Sequence, residues 1–140
     1  MITITHSDEQ TELFGAELAA RLKPGDCLAM YGPLGAGKTA LTRGICRGLH
    51  CTVDVHSPTF NIVNYYPGNI EVAHVDLYRI GEDIEDIGWD DLLSGEYIVI
   101  IEWSEKAGNY LPENRINISF HIIDLLTREI KVDFPDDSSA

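Results

Sequence analysis

Apolar positions in this 140-residue chain change period several times, and each change marks an element. Residues 2–5 alternate and predict an edge strand. From Ser7 the spacing turns helical: Leu13, Phe14, Leu18 and Leu22 predict a helix to about Arg21 with those four side chains buried. Ser7 is its expected N-cap, with Gln10 at the capping-box position. Lys23-Pro24-Gly25-Asp26 reads as a turn. Cys27-Leu28-Ala29-Met30-Tyr31 is a short unbroken apolar run, as expected of a strand covered on both faces in a parallel sheet. Leu41, Ile45 and Leu49 then recur at helical spacing in a proline-free stretch from Thr39.

After a polar stretch through His56, residues 60–66 and 70–76 read as two strands, with Pro67-Gly68-Asn69 as a hairpin signal. Residues 82–94 are acidic, with Ile84, Ile87, Leu92 and Leu93 as apolar positions. They predict one helix with a possible break at Gly88. Tyr97-Ile98-Val99-Ile100-Ile101 is a second buried strand. Ile116, Ile118, Phe120 and Ile122 alternate with polar residues, as do Ile130, Val132 and Phe134. These predict a terminal antiparallel pair that is wet on one face. The expected fold is α/β: a three-layer arrangement with a mixed, mostly parallel central sheet, flanking helices and a C-terminal antiparallel strand pair. Residues 1–135 form the expected single domain, and 136–140 a disordered tail.

Between the first buried strand and its helix lies Gly32-Pro33-Leu34-Gly35-Ala36-Gly37-Lys38-Thr39, a complete GxxxxGK[ST] loop. Glycines let the backbone curl around an anion with its N–H groups inward. Lysine reaches the β- and γ-phosphates, and the threonine hydroxyl takes one position on Mg²⁺. The helix N-terminus adds a partial positive charge. Strand–loop–helix is the context such a loop requires.

Composition narrows the partners. Net charge is −13, from 23 acidic and 10 basic residues. Nucleic-acid affinity comes mainly from Lys and Arg neutralising phosphates, so strong direct binding of RNA or DNA is not expected. No apolar run approaches a membrane span, and residues 1–6 carry no secretion signal. The expected location is cytoplasmic, with no membrane association. Cys27, Cys46 and Cys51 read as reduced thiols. Cys46, His50, Cys51 and His56 match no compact zinc spacing.

Two further strand ends carry acids. The strand at 70–75 runs into Asp76 and the strand at 97–101 into Glu102. Ligands in open α/β sheets bind at the carboxyl ends of parallel strands. Side by side with the P-loop strand, both acids would reach the phosphates: Thr39 and one carboxylate on Mg²⁺, the other orienting water or binding the metal through water. A solvated strand boundary or a helix cap is the plainer reading of each. Thr59, presented stiffly in Ser57-Pro58-Thr59-Phe60, is either a γ-phosphate sensor or part of a proline turn. Trp103 either flanks a base or packs in the core. Arg43, Arg47 and Arg79 either reach phosphate or a partner, or form a solvated face. The acidic run from Glu82 to Asp91 is a solvated face or a docking surface for a basic partner. Nothing resembles the Asn-Lys-x-Asp guanine signature, which favours adenine.

Taken together, the loop, Ser57-Pro58-Thr59-Phe60, His74-Val75-Asp76-Leu77-Tyr78-Arg79 and Glu102-Trp103 resemble the TsaE (YjeE) family of P-loop ATPases over nearly the whole chain. The resemblance implies ATP and Mg²⁺ as cofactors, with Mg²⁺ at Thr39 and Glu102. Lys38, Thr59, Asp76 and Glu102 would be catalytic. Gly32, Gly35, Ala36, Gly37, Lys38, Thr39 and Ala40 would cradle the nucleotide, with Glu9 (beside Asp8) and Trp103 near the adenine. It also implies a TsaD-like transferase subunit and a TsaB-like companion as partners in threonylcarbamoylation of tRNA adenosine next to the anticodon. The family usually has an acid after the first loop glycine; this chain has Pro33, which lacks an N–H. Rival readings are a small-molecule P-loop kinase and a non-hydrolysing, ATP-responsive scaffold. The acidic 82–96 segment would repel a phosphorylated kinase substrate.

Overall fold

The computed structural model describes residues 1–52, 55 and 62–135. Seven strands are present among them: β1 (Ile2–Thr5), β2 (Cys27–Tyr31), β3 (Val63–Tyr66), β4 (Val72–Asp76), β5 (Ile98–Glu102), β6 (Ile116–Ile122) and β7 (Arg128–Asp133). They form one sheet in the order β1-β7-β6-β2-β5-β4-β3. The four central strands β6, β2, β5 and β4 run parallel. The outer strands β1, β7 and β3 pair antiparallel. The unbroken apolar runs of β2 and β5 fall in the middle, where both faces are covered, and the alternating β6 and β7 lie to one side.

Strand alternation sends successive side chains to opposite faces and so builds two cores. On one face Leu28, Met30, Ile98, Ile100 and Val72 pack with Leu18, Leu41 and Ile45 from helices α1 (Asp8–Ala19) and α2 (Lys38–Gly48). On the other, Cys27, Ala73, Val75, Val99 and Ile101 pack with Trp89 and Leu92 of helix α3 (Trp89–Leu92) and with Ala107. The result is the expected three layers.

Local signals held at most boundaries. Ser7 Oγ accepts the Gln10 N–H at 3.1 Å. The Gln10 side chain reaches back one residue further than a capping box does, accepting the His6 N–H at 2.7 Å. Two expectations change. Helix α1 ends at Ala19, and Leu13 is 65 % exposed. The face that packs on α2 is Thr11, Gly15, Leu18 and Ala19, and Leu13 lies about half a turn away from it. Residues 82–94 are not one helix: Glu82–Asp86 is a 3₁₀ turn, Gly88 takes φ 91°, and α3 follows. The break falls at Gly88 because a left-handed φ ends the helix there at little steric cost. Residues 60–61 of the expected third strand, and the 136–140 tail, lie outside the described residues.

Candidate nucleotide site

The loop between β2 and α2 owes its shape to positive φ angles at Gly32 (155°), Gly35 (78°) and Gly37 (104°). A side chain at Gly32 would also meet the Phe120 Cβ at 2.9 Å. Pro33 O accepts the Ala36 N–H at 3.2 Å, closing a turn whose third residue, Gly35, has the positive φ that a type II turn needs there. Pro33 is the first residue of this turn and supplies its carbonyl, so its missing N–H costs the turn nothing, and Leu34 takes the second position. Gly37 ends the loop, and its missing Cβ would lie 3.7 Å from Thr11 Cγ2. The first turns of α1 thus lie beside the loop. Glu9 is exposed there, and Ala36 and Ala40 are buried under the loop and the start of α2.

Lys38 is the first residue of α2 and is 5 % exposed. Its ammonium donates to Gly32 O at 2.7 Å and lies 3.9 Å from the centre of the Trp103 ring. Burial pushes it below the ordinary lysine range, while the carboxylates of Glu102, Glu105 and Asp76 pull the other way. Those acids reach Lys38 for a reason of topology. β4 and β5 flank each other in parallel with Asp76 opposite Glu102, and β5 flanks β2. Glu102 shares its strand face with Ile98 and Ile100, and Asp76 with Val72; both faces are the α2 side. The spatial expectation from sequence is met: two acids and the loop share one rim.

The acids are held differently. Asp76 is half-buried, and its Oδ1 accepts the Tyr78 N–H at 2.9 Å. Burial raises its carboxyl above the usual range and nearby Glu102 adds to this, against the Tyr78 N–H, His74 and Lys38. Glu102 is 4 % exposed, and its Oε2 lies 2.5 Å from His74 Nε2. His74 is fully buried, with Nδ1 3.2 Å from the Tyr66 hydroxyl. After Glu102 the chain turns sharply, with Trp103 at φ 59°. That conformation is uncommon for a bulky residue. It sets the indole between Lys38 and Tyr78, 4.9 Å from the latter's ring. Thr39 is half-buried on the first turn of α2. Thr59 and the Ser57-Pro58-Thr59-Phe60 segment lie outside the described residues, as does His56. Arg43 and Arg47 face Glu12 of α1, at 3.7 and 3.5 Å from its Oε1, which accepts no hydrogen bond among the described residues. Arg79 is exposed.

Sequence reasoning missed three side chains. His74 and Tyr66 form the buried support of Glu102. Arg128, at the start of β7, donates from Nε and Nη2 to Gly35 O at 3.3 and 3.1 Å. Its Nη1 donates to Asp124 O at 2.7 Å, tying the β6–β7 turn to the loop. His74 carried a signal, since it stands two residues before Asp76 on a buried strand. Arg128 carried none, because its partner is far away in the chain.

The donors suit a magnesium nucleotide. The loop offers a nest of glycine backbone, Lys38 a buried cation, and Glu102 and Thr39 hard oxygens. Among the described residues no three His, Cys, Asp or Glu side chains are grouped to hold a metal by themselves.

Sheet, loop and strand-end acids together define an α/β protein of the P-loop fold. The model of the family described as "Threonylcarbamoyl adenosine biosynthesis protein TsaE" matches residues 5–130. A Bacillus subtilis relative named tRNA threonylcarbamoyladenosine biosynthesis protein TsaE is 39 % identical over 81 % of this chain and 73 % of its own length. One of the same name from Treponema pallidum is 33 % identical over 94 % of this chain and 99 % of its own. The crystal structure of Bacillus subtilis YdiB superposes with a TM-score of 0.76 at 30 % identity, covering 93 % of this chain and 82 % of that one. This chain belongs to the TsaE family.

Proposed function

We propose that this chain is a Mg²⁺-dependent ATPase subunit that supports a threonylcarbamoyl transferase complex modifying tRNA adenosine next to the anticodon. The observation that carries the ATPase reading is the convergence of Lys38, Asp76 and Glu102 at the carboxyl ends of three adjacent parallel strands. The relatives' names support the pathway.

In this reading the glycine loop from Gly32 to Gly37 binds the phosphates through backbone N–H groups. Lys38 leaves the Gly32 carbonyl and meets the β- and γ-phosphate oxygens. Thr39 and Glu102 are the oxygen donors to Mg²⁺, which when bound neutralises charge on the phosphates. Asp76 orients the attacking water, and Thr59 contacts the γ-phosphate. Trp103 and Glu9 line the nucleotide's flanks. The partners are a TsaD-like transferase subunit and a TsaB-like companion, which hold the tRNA that a chain of net charge −13 would repel.

Hydrolysis by the isolated chain is slow, and the partners raise it by ordering the site. Phosphate release measured with and without the transferase subunits tests this; equal, fast rates for the free chain would overturn it. Thr39→Ala and Glu102→Ala each lower turnover by about 100-fold or more, on the scale of lost electrostatic stabilisation. A wild-type rate in either variant removes that residue from the metal site.

A further inference from the structure

A glutamate carboxyl on a flexible stem turns broadly about its last torsion. At Glu102 that freedom is removed. The side chain is 4 % exposed, and its Oε2 is engaged by His74 Nε2 at 2.5 Å. His74 is in turn held by the Tyr66 hydroxyl at 3.2 Å, and the two rings lie 5.8 Å apart between centroids. A carboxylate can only accept, so Nε2 carries the hydrogen and Nδ1 accepts from the Tyr66 O–H. Every group in this chain of bonds is then satisfied. The three residues come from three adjacent strands: Tyr66 from β3, His74 from β4 and Glu102 from β5. The sheet itself therefore fixes the arrangement.

We infer that His74 is a positioning residue for Glu102: with Tyr66 behind it, the imidazole holds one carboxylate oxygen so that the other is presented to the metal–nucleotide. This rests on the reading of Glu102 as a metal ligand. It follows the general logic by which partners of a ligating carboxylate, lying just outside the metal's own ligands, set its direction. Burial alone asks only that each ring nitrogen find a partner; here one of the two partners is the strand-end carboxylate that lies beside Lys38.

The test uses ADP, so that no turnover occurs. Tryptophan fluorescence, with Trp103 beside Lys38, follows ADP binding with and without Mn²⁺. Folding of each variant is checked by thermal melting. In His74→Asn the shorter amide does not reach Oε2. Binding without Mn²⁺ stays within about twofold of wild type, and the tightening produced by Mn²⁺ falls about 10-fold. His74→Gln, whose amide nitrogen reaches about as far as Nε2, keeps the tightening within about threefold, and Tyr66→Phe falls between the two. Unchanged Mn²⁺ tightening in His74→Asn, with tightening lost in Glu102→Gln, overturns the role of His74 and leaves the proposed function standing. Unchanged tightening in Glu102→Gln overturns the metal-ligand reading, and this inference falls with it. If His74→Asn does not fold, His74→Gln and Tyr66→Phe decide. A drop in Tyr66→Phe with His74→Gln retained supports the inference; Tyr66→Phe at the wild-type level overturns it.

Discussion

Cys27 stands in β2 at 3 % exposure, and burial pushes its thiol up to about 12 from an ordinary 9.0. The folded chain keeps that proton where the unfolded chain releases it. Stability from this group is thus fully present below about pH 9 and is lost as pH rises toward 12, with a slope of about 1.4 kcal/mol per pH unit. Cys27→Ala removes that slope. Denaturant melts at about pH 8 and pH 10 are therefore expected to show a smaller fall for the variant than for wild type; equal falls would refute the assignment. The same scale shows what a single residue discloses in sequence. Asp76 and Glu102 were legible because each acid ends an apolar run, where a charge has no packing reason to be. Tyr66 and Arg128 were not, because what each does depends on a neighbour from another part of the chain. The packing of Lys38 against Trp103 is of the same kind.

Between α1 and α2 the contact is made by absent side chains. A Cβ on Gly44 would sit 2.0 Å from Glu12 O, and one on Gly15 2.5 Å from Leu41 O. Gly44→Ala raises intrinsic helix preference by about 1 kcal/mol. The backbone clash outweighs this, since neither helix backbone can give way as a side-chain tip could. A net loss of about 2 kcal/mol is expected, read as a lower melting temperature. A variant as stable as wild type would mean that the helices slide apart freely. This contact explains why Leu13 was misplaced: the reading sought large apolar side chains, and the packing face is built from Thr11, Gly15 and Ala19. Strands fared better. β2 and β5 were readable almost to the residue because full burial leaves an unbroken apolar run, and Gly88 marked the break before α3.

Across the whole molecule the net charge of −13 dominates. Self-repulsion of this size weakens the compact state at low ionic strength. Raising NaCl from about 0.01 M to about 0.5 M shortens the screening length several-fold and is expected to raise the melting temperature by a few degrees, equivalent to about 1 kcal/mol. No change, or a fall, would contradict it. The three-layer architecture was legible from the order of elements, because a buried strand, a glycine loop and a helix constrain one another. The pairing of β1 with β7 was not: antiparallel edges carry no sequence mark of their partner.

That pairing has a consequence for birth on the ribosome. Val132 N–H donates to Met1 O at 2.8 Å, so β1, made before the other strands of this sheet, has no partner until β7 is synthesised. Phe120 and Arg128, which brace the glycine loop, also emerge late. A nascent polypeptide stalled between β6 and β7 has its phosphate-binding segment and Phe120 already synthesised but lacks the Arg128 brace, and its sheet is finished only once β7 has emerged.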